Sequence, residues 1–219
     1  MKLATRLPLL VFIAIGFARL GAAQMGMTRP PDIAGVFNPT LGSGASYEMT
    51  KTNGEKMTFD MSVVDKDASG SYWIEYGMHT PQRNEPIYSK VLLARQADDV
   101  IIRRMIMQMP GRPPIETTSM MSMKGMQSQK SKADFRTNAE DLGTESVTTP
   151  AGTFSCQHWR NTKDGMDVWI SDKVSPWKLV KMTGTSQTMT LVHVITDAKT
   201  HITGTPVSME EMMKGMGRQ

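Results

Sequence analysis

The dipeptide Asn53-Gly54, set between two runs of alternating apolar and polar residues, constrains the fold more than any other feature of this 219-residue chain. Asn and Gly accept the positive φ of a type I′ turn. The flanking residues 47–52 and 55–64 are therefore predicted to fold back on each other as an antiparallel hairpin. In the second run Met57, Phe59, Met61 and Val63 fall on one face, and Lys56, Thr58, Asp60 and Ser62 on the other. Such a strand buries one side and wets the other.

Further strands are predicted at 71–78, 87–95 and 100–109. A helix over 88–109 competes, but the β-branched run Val100-Ile101-Ile102 and the Asp98-Asp99 break favour two strands. After the proline-rich 110–114, residues 115–142 carry much Met, Ser and Lys and little periodicity. They are expected to form a long connection with a helical turn or two near 133–141. Strands resume at 144–150, 153–160, 166–171, 178–185 and 187–198. In 166–171 the inward set is either Val168 and Ile170 or Met166 and the neighbours of Trp169; the pattern leaves both open. About nine short-turned strands imply a mainly β fold, a single curved antiparallel sheet (a half-barrel or open barrel) with short helices.

The chain ends set the expected compartment. Lys2 and Arg6 precede an apolar stretch at 7–17, and Gly21-Ala22-Ala23 offers small residues for cleavage. Residues 1–23 read as a signal peptide, too short in its apolar part to span a bilayer, which predicts a periplasmic or secreted protein with no transmembrane anchor. Residues 24–45 read as an extended lead-in, 46–205 as one β-rich domain and 206–219 as a tail or short helix. Without Lys2, Arg6 and Arg19, 22 basic residues face 21 acids, a net of +1, which gives no footprint for nucleic acid. Cys156 is the only cysteine, so no internal disulfide forms.

The stretches GTESVTTPAGTFSCQHWR and DGMDVWISDKVSPWKLVKM bear on family. From Val147 to Phe154 and from Val168 to Met182 they resemble the closing strands of exported curved-sheet proteins related to bacterial lipoprotein-localisation factors. The resemblance implies a half-barrel with an apolar concave face, a cavity that in the localisation factors holds acyl chains. This chain departs from the carriers in having no lipid-attachment cysteine and no long amphipathic helix.

The residues that could carry chemistry are few. Cys156 and His158, two apart in a strand, share a face and suit either a nucleophile–base pair or two metal ligands. Buried packing is the plainer role for both. The four histidines, His79, His158, His193 and His201, show no metal-ligand spacing. Turn geometry accounts for acids such as Asp65, Asp67, Asp98 and Asp99. No phosphate loop or nucleophile elbow is present, and no cofactor is implied. The unusual feature is 21 methionines. Met120, Met121, Met123 and Met126 form one cluster, and Met209, Met212, Met213 and Met216 recur at helical spacing. Thioethers are soft ligands for Cu(I), and methionine also fills irregular cores. The leading expectation is a non-enzymatic exported protein that binds a hydrophobic small molecule (a lipid or acyl chain) or an envelope protein. Met57, Phe59, Met61 and Val63 line the binding face. The alternative is copper binding at Met120, Met121, Met123 and Met126, and the least favoured reading is a hydrolase built on Cys156.

Overall fold

The computed structural model describes residues 34–80, 84–117, 130–208 and 211. The strands are β1 (Gly44–Lys51), β2 (Lys56–Lys66), β3 (Tyr72–His79), β4 (Ile87–Gln96), β5 (Asp99–Gln108), β6 (Ile115–Glu116) and β7 (Lys130–Lys132). After a short 3-10 helix (Phe135–Asn138) come β8 (Ala139–Thr149), β9 (Gly152–Asn161), β10 (Asp167–Ile170), β11 (Leu179–Thr183), β12 (Gln187–Ile195) and β13 (Val207–Ser208). All belong to one open, curved sheet in the order β13-β6-β5-β4-β3-β2-β1-β12-β11-β10-β9-β8, with β7 also on β5. It consists of two antiparallel meanders, β1–β5 and β8–β12, joined where β1 pairs with β12. Among the described residues only β13 on β6 is parallel.

Curvature follows from what lies beyond the ladder. β8, at the far edge, comes back against β12 across three intervening strands. Residues 34–38 then run between the two wings. Val36 N donates to Trp177 O (2.9 Å), Asn38 N to Pro176 O (2.7 Å) and Phe37 N to Ala133 O (2.7 Å). Ala133 N in turn donates to Asp98 O beside β5. Gly35 permits this approach: a Cβ there would stand 2.5 Å from Trp177 O.

Inward-facing residues form rungs across the strands. Met57, Met49, Met189, Met182, Val168 and Trp159 are successive partners from β2 to β9. Met78, Phe59, Tyr47 and Leu191 make a second rung, and Met105, Val91, Ile74 and Val63 a third. Apart from Met78, these residues belong to one apolar cluster reaching across the sheet from β5 to β9. Val168 and Ile170 are buried, which settles the inward set of β10.

The outer face of β2–β5 is covered differently. Trp73, Leu92 and Ile106 pack with Ile202 of the C-terminal segment. Beside them Glu75, 2% exposed, accepts hydrogen bonds from Thr200 Oγ1 and from His201 N (2.8 Å), and pairs with His201 Nδ1 (2.8 Å). His201 stacks on Tyr88 at 4.4 Å, and β13 then pairs with β6.

Three expectations need correction. The 53–54 turn is not type I′, since Asn53 does not have positive φ. Gly54 N bonds Lys51 O, Lys51 N bonds Glu55 O, and Gly54 has φ +81°. This is a type I turn closed by a left-handed glycine, the three-residue hairpin solution. β8 begins at Ala139 rather than at 144, so the helical turn is confined to Phe135–Asn138, where Asp134 caps it by accepting from Arg136 N. The 115–142 stretch also contributes β6 and β7 to the sheet, rather than serving only as a connection.

Candidate functional site

The inner face is the candidate site. Phe59, Met61 and Val63 are 3%, 0% and 0% exposed, and Met57 is half-buried at the rim. The four predicted residues therefore share one face through the period-2 pattern of β2. Phe59 stacks on Tyr47 at 5.3 Å between centroids, and Tyr47 donates its hydroxyl to Leu179 O (2.8 Å). Burial pushes the Tyr47 phenol far up, so it stays neutral. The strap adds Phe37, whose ring meets Trp177 at 4.9 Å.

Two donors on this side lack a partner among the described residues, the buried indole N–H groups of Trp159 and Trp177. The Tyr76 hydroxyl lies beside the Trp177 indole without forming a well-aligned hydrogen bond to it. Buried N–H groups are ordinarily satisfied, so these two are conspicuous in an apolar surround. The sequence pattern missed both tryptophans. Trp159 follows His158 in a strand of ambiguous pattern, and Trp177 lies in the loop before β11.

Around His158 the outward side of β8–β10 forms a polar cluster. Its Nδ1 is 3.0 Å from Glu145 Oε1 and its Nε2 is 3.0 Å from Asp167 Oδ1. Trp169 stacks on its ring at 4.3 Å and donates to Glu145, and Lys181 lies over the Trp169 ring. Burial pushes the Asp167 carboxyl up, but hydrogen bonds from Arg160 and His158 outweigh it and hold it below the usual range. Both imidazole nitrogens are thus engaged, and neither presents a free lone pair to a thiol. Cys156 is fully buried, its thiol directed at Phe154 O, and burial with the nearby Glu145 charge raises it to about 11. A thiol held in its protonated form is a weak nucleophile. His79 pairs with Asp60 (3.1 Å), and among the described residues no group of three or more His, Cys, Asp or Glu is placed to hold a metal.

Met120, Met121, Met123 and Met126 lie outside the described residues, as do Met209, Met212, Met213, Met216 and the 1–23 segment. Among the described residues no helix is long and apolar enough to cross a membrane.

No family model matches the chain, and no curated protein matches it. Solved structures resemble it distantly. A lipoprotein candidate from Parabacteroides distasonis is 16% identical, covering 74% of this chain and 99% of its own, with a TM-score of 0.37. MucB, in complex with MucA(peri), is 7% identical over 74% of this chain, with a TM-score of 0.42; the matched part is 53% of MucB. An exported-protein candidate with a YmcC-like fold from Bacteroides fragilis is 12% identical, covering 74% of this chain and 99% of its own, with a TM-score of 0.35. At those scores the likeness is too distant to carry a function from any of the three to this chain.

Proposed function

We propose that this chain is an exported, non-enzymatic protein of the periplasm or extracellular space. Its inner sheet face, at Met57, Phe59, Met61 and Val63, receives a hydrophobic small molecule such as a lipid or acyl chain, or an apolar element of an envelope partner. One observation carries the reading. The inner face is continuous and apolar from β5 to β9, yet it keeps two buried indole donors, Trp159 and Trp177, that make no hydrogen bond among the described residues. An acyl chain ending in a carboxyl or ester group has both parts that such a face lacks. Its apolar length packs against methionine and aliphatic side chains, and its oxygen accepts from an indole. Methionine adapts its shape at small cost, so the rung Met57-Met49-Met189-Met182 can repack around a flexible guest. The half-buried rim at Met57 is the proposed point of entry. Residues 1–23, as a cleaved signal, supply the export step of this reading, leaving the 46–205 domain to act.

Native mass spectrometry of the protein purified from its own envelope tests the proposal. A co-purifying species with the mass of a fatty acid or lipid is expected. A bare polypeptide mass from freshly prepared envelope would count against it. A second reading rests on the spacing of Met120, Met121, Met123 and Met126, which suits Cu(I). It predicts copper in the same spectrum, lost when those four become Leu.

A further inference from the structure

The two edges of the sheet are finished differently. β5 is overlaid by β6 near one end and β7 near the other, and β13 is added to β6. β8 has 11 residues, pairs with β9, and ends the sheet with nothing laddered to its other side among the described residues. It is exposed from Glu140 to Ser146, and Leu142 is 39% exposed, a large apolar side chain on the edge itself. A bare edge of this length is a template for another strand, and proteins ordinarily shorten or cover it.

The charge on the edge selects the occupant. β8 carries Glu140, Asp141 and Glu145 and no basic residue, and Glu145 is already engaged by His158 and Trp169. The nearest cation across the ladder, Arg160 opposite Glu140, is already bound to Asp167 (2.9 Å). A second copy of β8 would bring further carboxylates and no basic residue to this edge, whereas a basic segment complements its charge. Past the irregularity between Asp141 and Thr144, where Gly143 has φ +95°, the stretch from Thr144 to Thr149 runs in unbroken register with β9. It is rich in β-favouring Thr and Val.

We propose that β8 is a docking edge for an extended segment of another protein bearing lysine or arginine at alternate positions. That segment adds as a further strand along β8, with its cations beside Glu140 and Glu145, which share one face of the strand. Main-chain hydrogen bonds supply the affinity and the carboxylates the selection. This surface is distinct from the inner face and stands or falls independently of it.

The test is a fluorescence-anisotropy titration of the purified chain with a labelled nonapeptide alternating Lys with Val and Thr, read beside amide hydrogen exchange. Saturable binding is expected, with exchange slowed within 144–149. N-methylation of alternate peptide nitrogens weakens it about tenfold or more, because the ladder bonds are lost. The double variant Glu140→Lys, Asp141→Lys has a similar effect while its melting temperature holds, since both side chains are exposed. No binding, binding indifferent to N-methylation, or protection elsewhere in the sheet would overturn the proposal. So would protection of 144–149 that grows with protein concentration in the absence of peptide, which marks a second copy as the occupant.

Discussion

The two faces of the sheet are covered by different means. The inner face holds one large apolar cluster contributed by every long strand from β1 to β5 and β9 to β12, sealed by Phe37 and Trp177. The outer face holds a small cluster, Trp73, Leu92, Ile106 and Ile202, and a buried carboxylate that clasps the C-terminal segment. The inner face is held by the strands' own alternation and by dispersion spread over many contacts. The outer cover hangs on a few polar bonds spanning about 125 residues of sequence. The inner face should therefore fail globally and the outer cover locally.

Substitution of Phe59 by Asp is expected to have the largest effect. It places an unpaired charge where the native ring is 3% exposed, and burying a lone carboxylate exceeds what a domain of this size can absorb. Loss of the cooperative thermal transition in circular dichroism is the expected result. A melting temperature within a few degrees of the native value would break the comparison, because the inner face would then tolerate what an outer loop tolerates.

Glu75→Ala should cost less, about 1–3 kcal/mol, since it removes one buried acceptor of three bonds. Its effect should be local. Amide exchange in 200–208 should accelerate while that of β1, β2 and β12 stays near native. Uniform acceleration through all strands would show that the outer cover and the inner core are one cooperative unit.

Gly54→Val should cost roughly 1 kcal/mol, because φ +81° is strained for a β-branched residue although nothing stands within 4 Å of the new Cβ. Denaturant melts that superimpose on the native curve would count against the turn geometry.

The smallest effect expected is a pH dependence at Asp167. Its folded pKa lies below the ordinary value of about 3.9, so its contribution is present above that pH. The contribution is lost as pH falls through the lowered folded value. Asp167→Asn should flatten the acid limb of the stability curve by removing, near neutrality, the contribution the native chain loses on acidification. An unchanged acid limb would remove the Arg160–Asp167–His158 cluster from the stability account.

The same contrast explains what was legible in the sequence. Alternation within a strand is local, so β2 could be assigned its buried face residue by residue, and the ten strands of four or more residues were each anticipated. β10 left its face open because Met166, Val168, Trp169 and Ile170 put apolar groups on both sides; pairing of Val168 with Met182 and Trp159 decides it. β6, β7 and β13 are two or three residues long and exist only because a distant strand presents an edge, which no local pattern encodes. The Asn53-Gly54 signal specified a hairpin but not its turn type, since both solutions use the same glycine. Glu75 sits mid-strand between apolar neighbours and gave no sign that residues 200 and 201 would reach it. The Cys156–His158 spacing suggested a reactive pair; the partners that engage His158 instead, Glu145 and Asp167, come from neighbouring strands.

The central claim, that the inner face takes an apolar guest, is tested most directly by titrating the purified chain with a fluorescent fatty-acid analogue and repeating the titration with Met57→Lys. Met57 lies half-buried at the rim, so a lysine there can keep its charge in water and leave the fold intact while obstructing the approach to Phe59 and Met61. The account predicts saturable binding to the native chain and at least a tenfold loss in a variant of unchanged melting temperature. No saturable binding to the native chain, or equal binding by the variant, would contradict it.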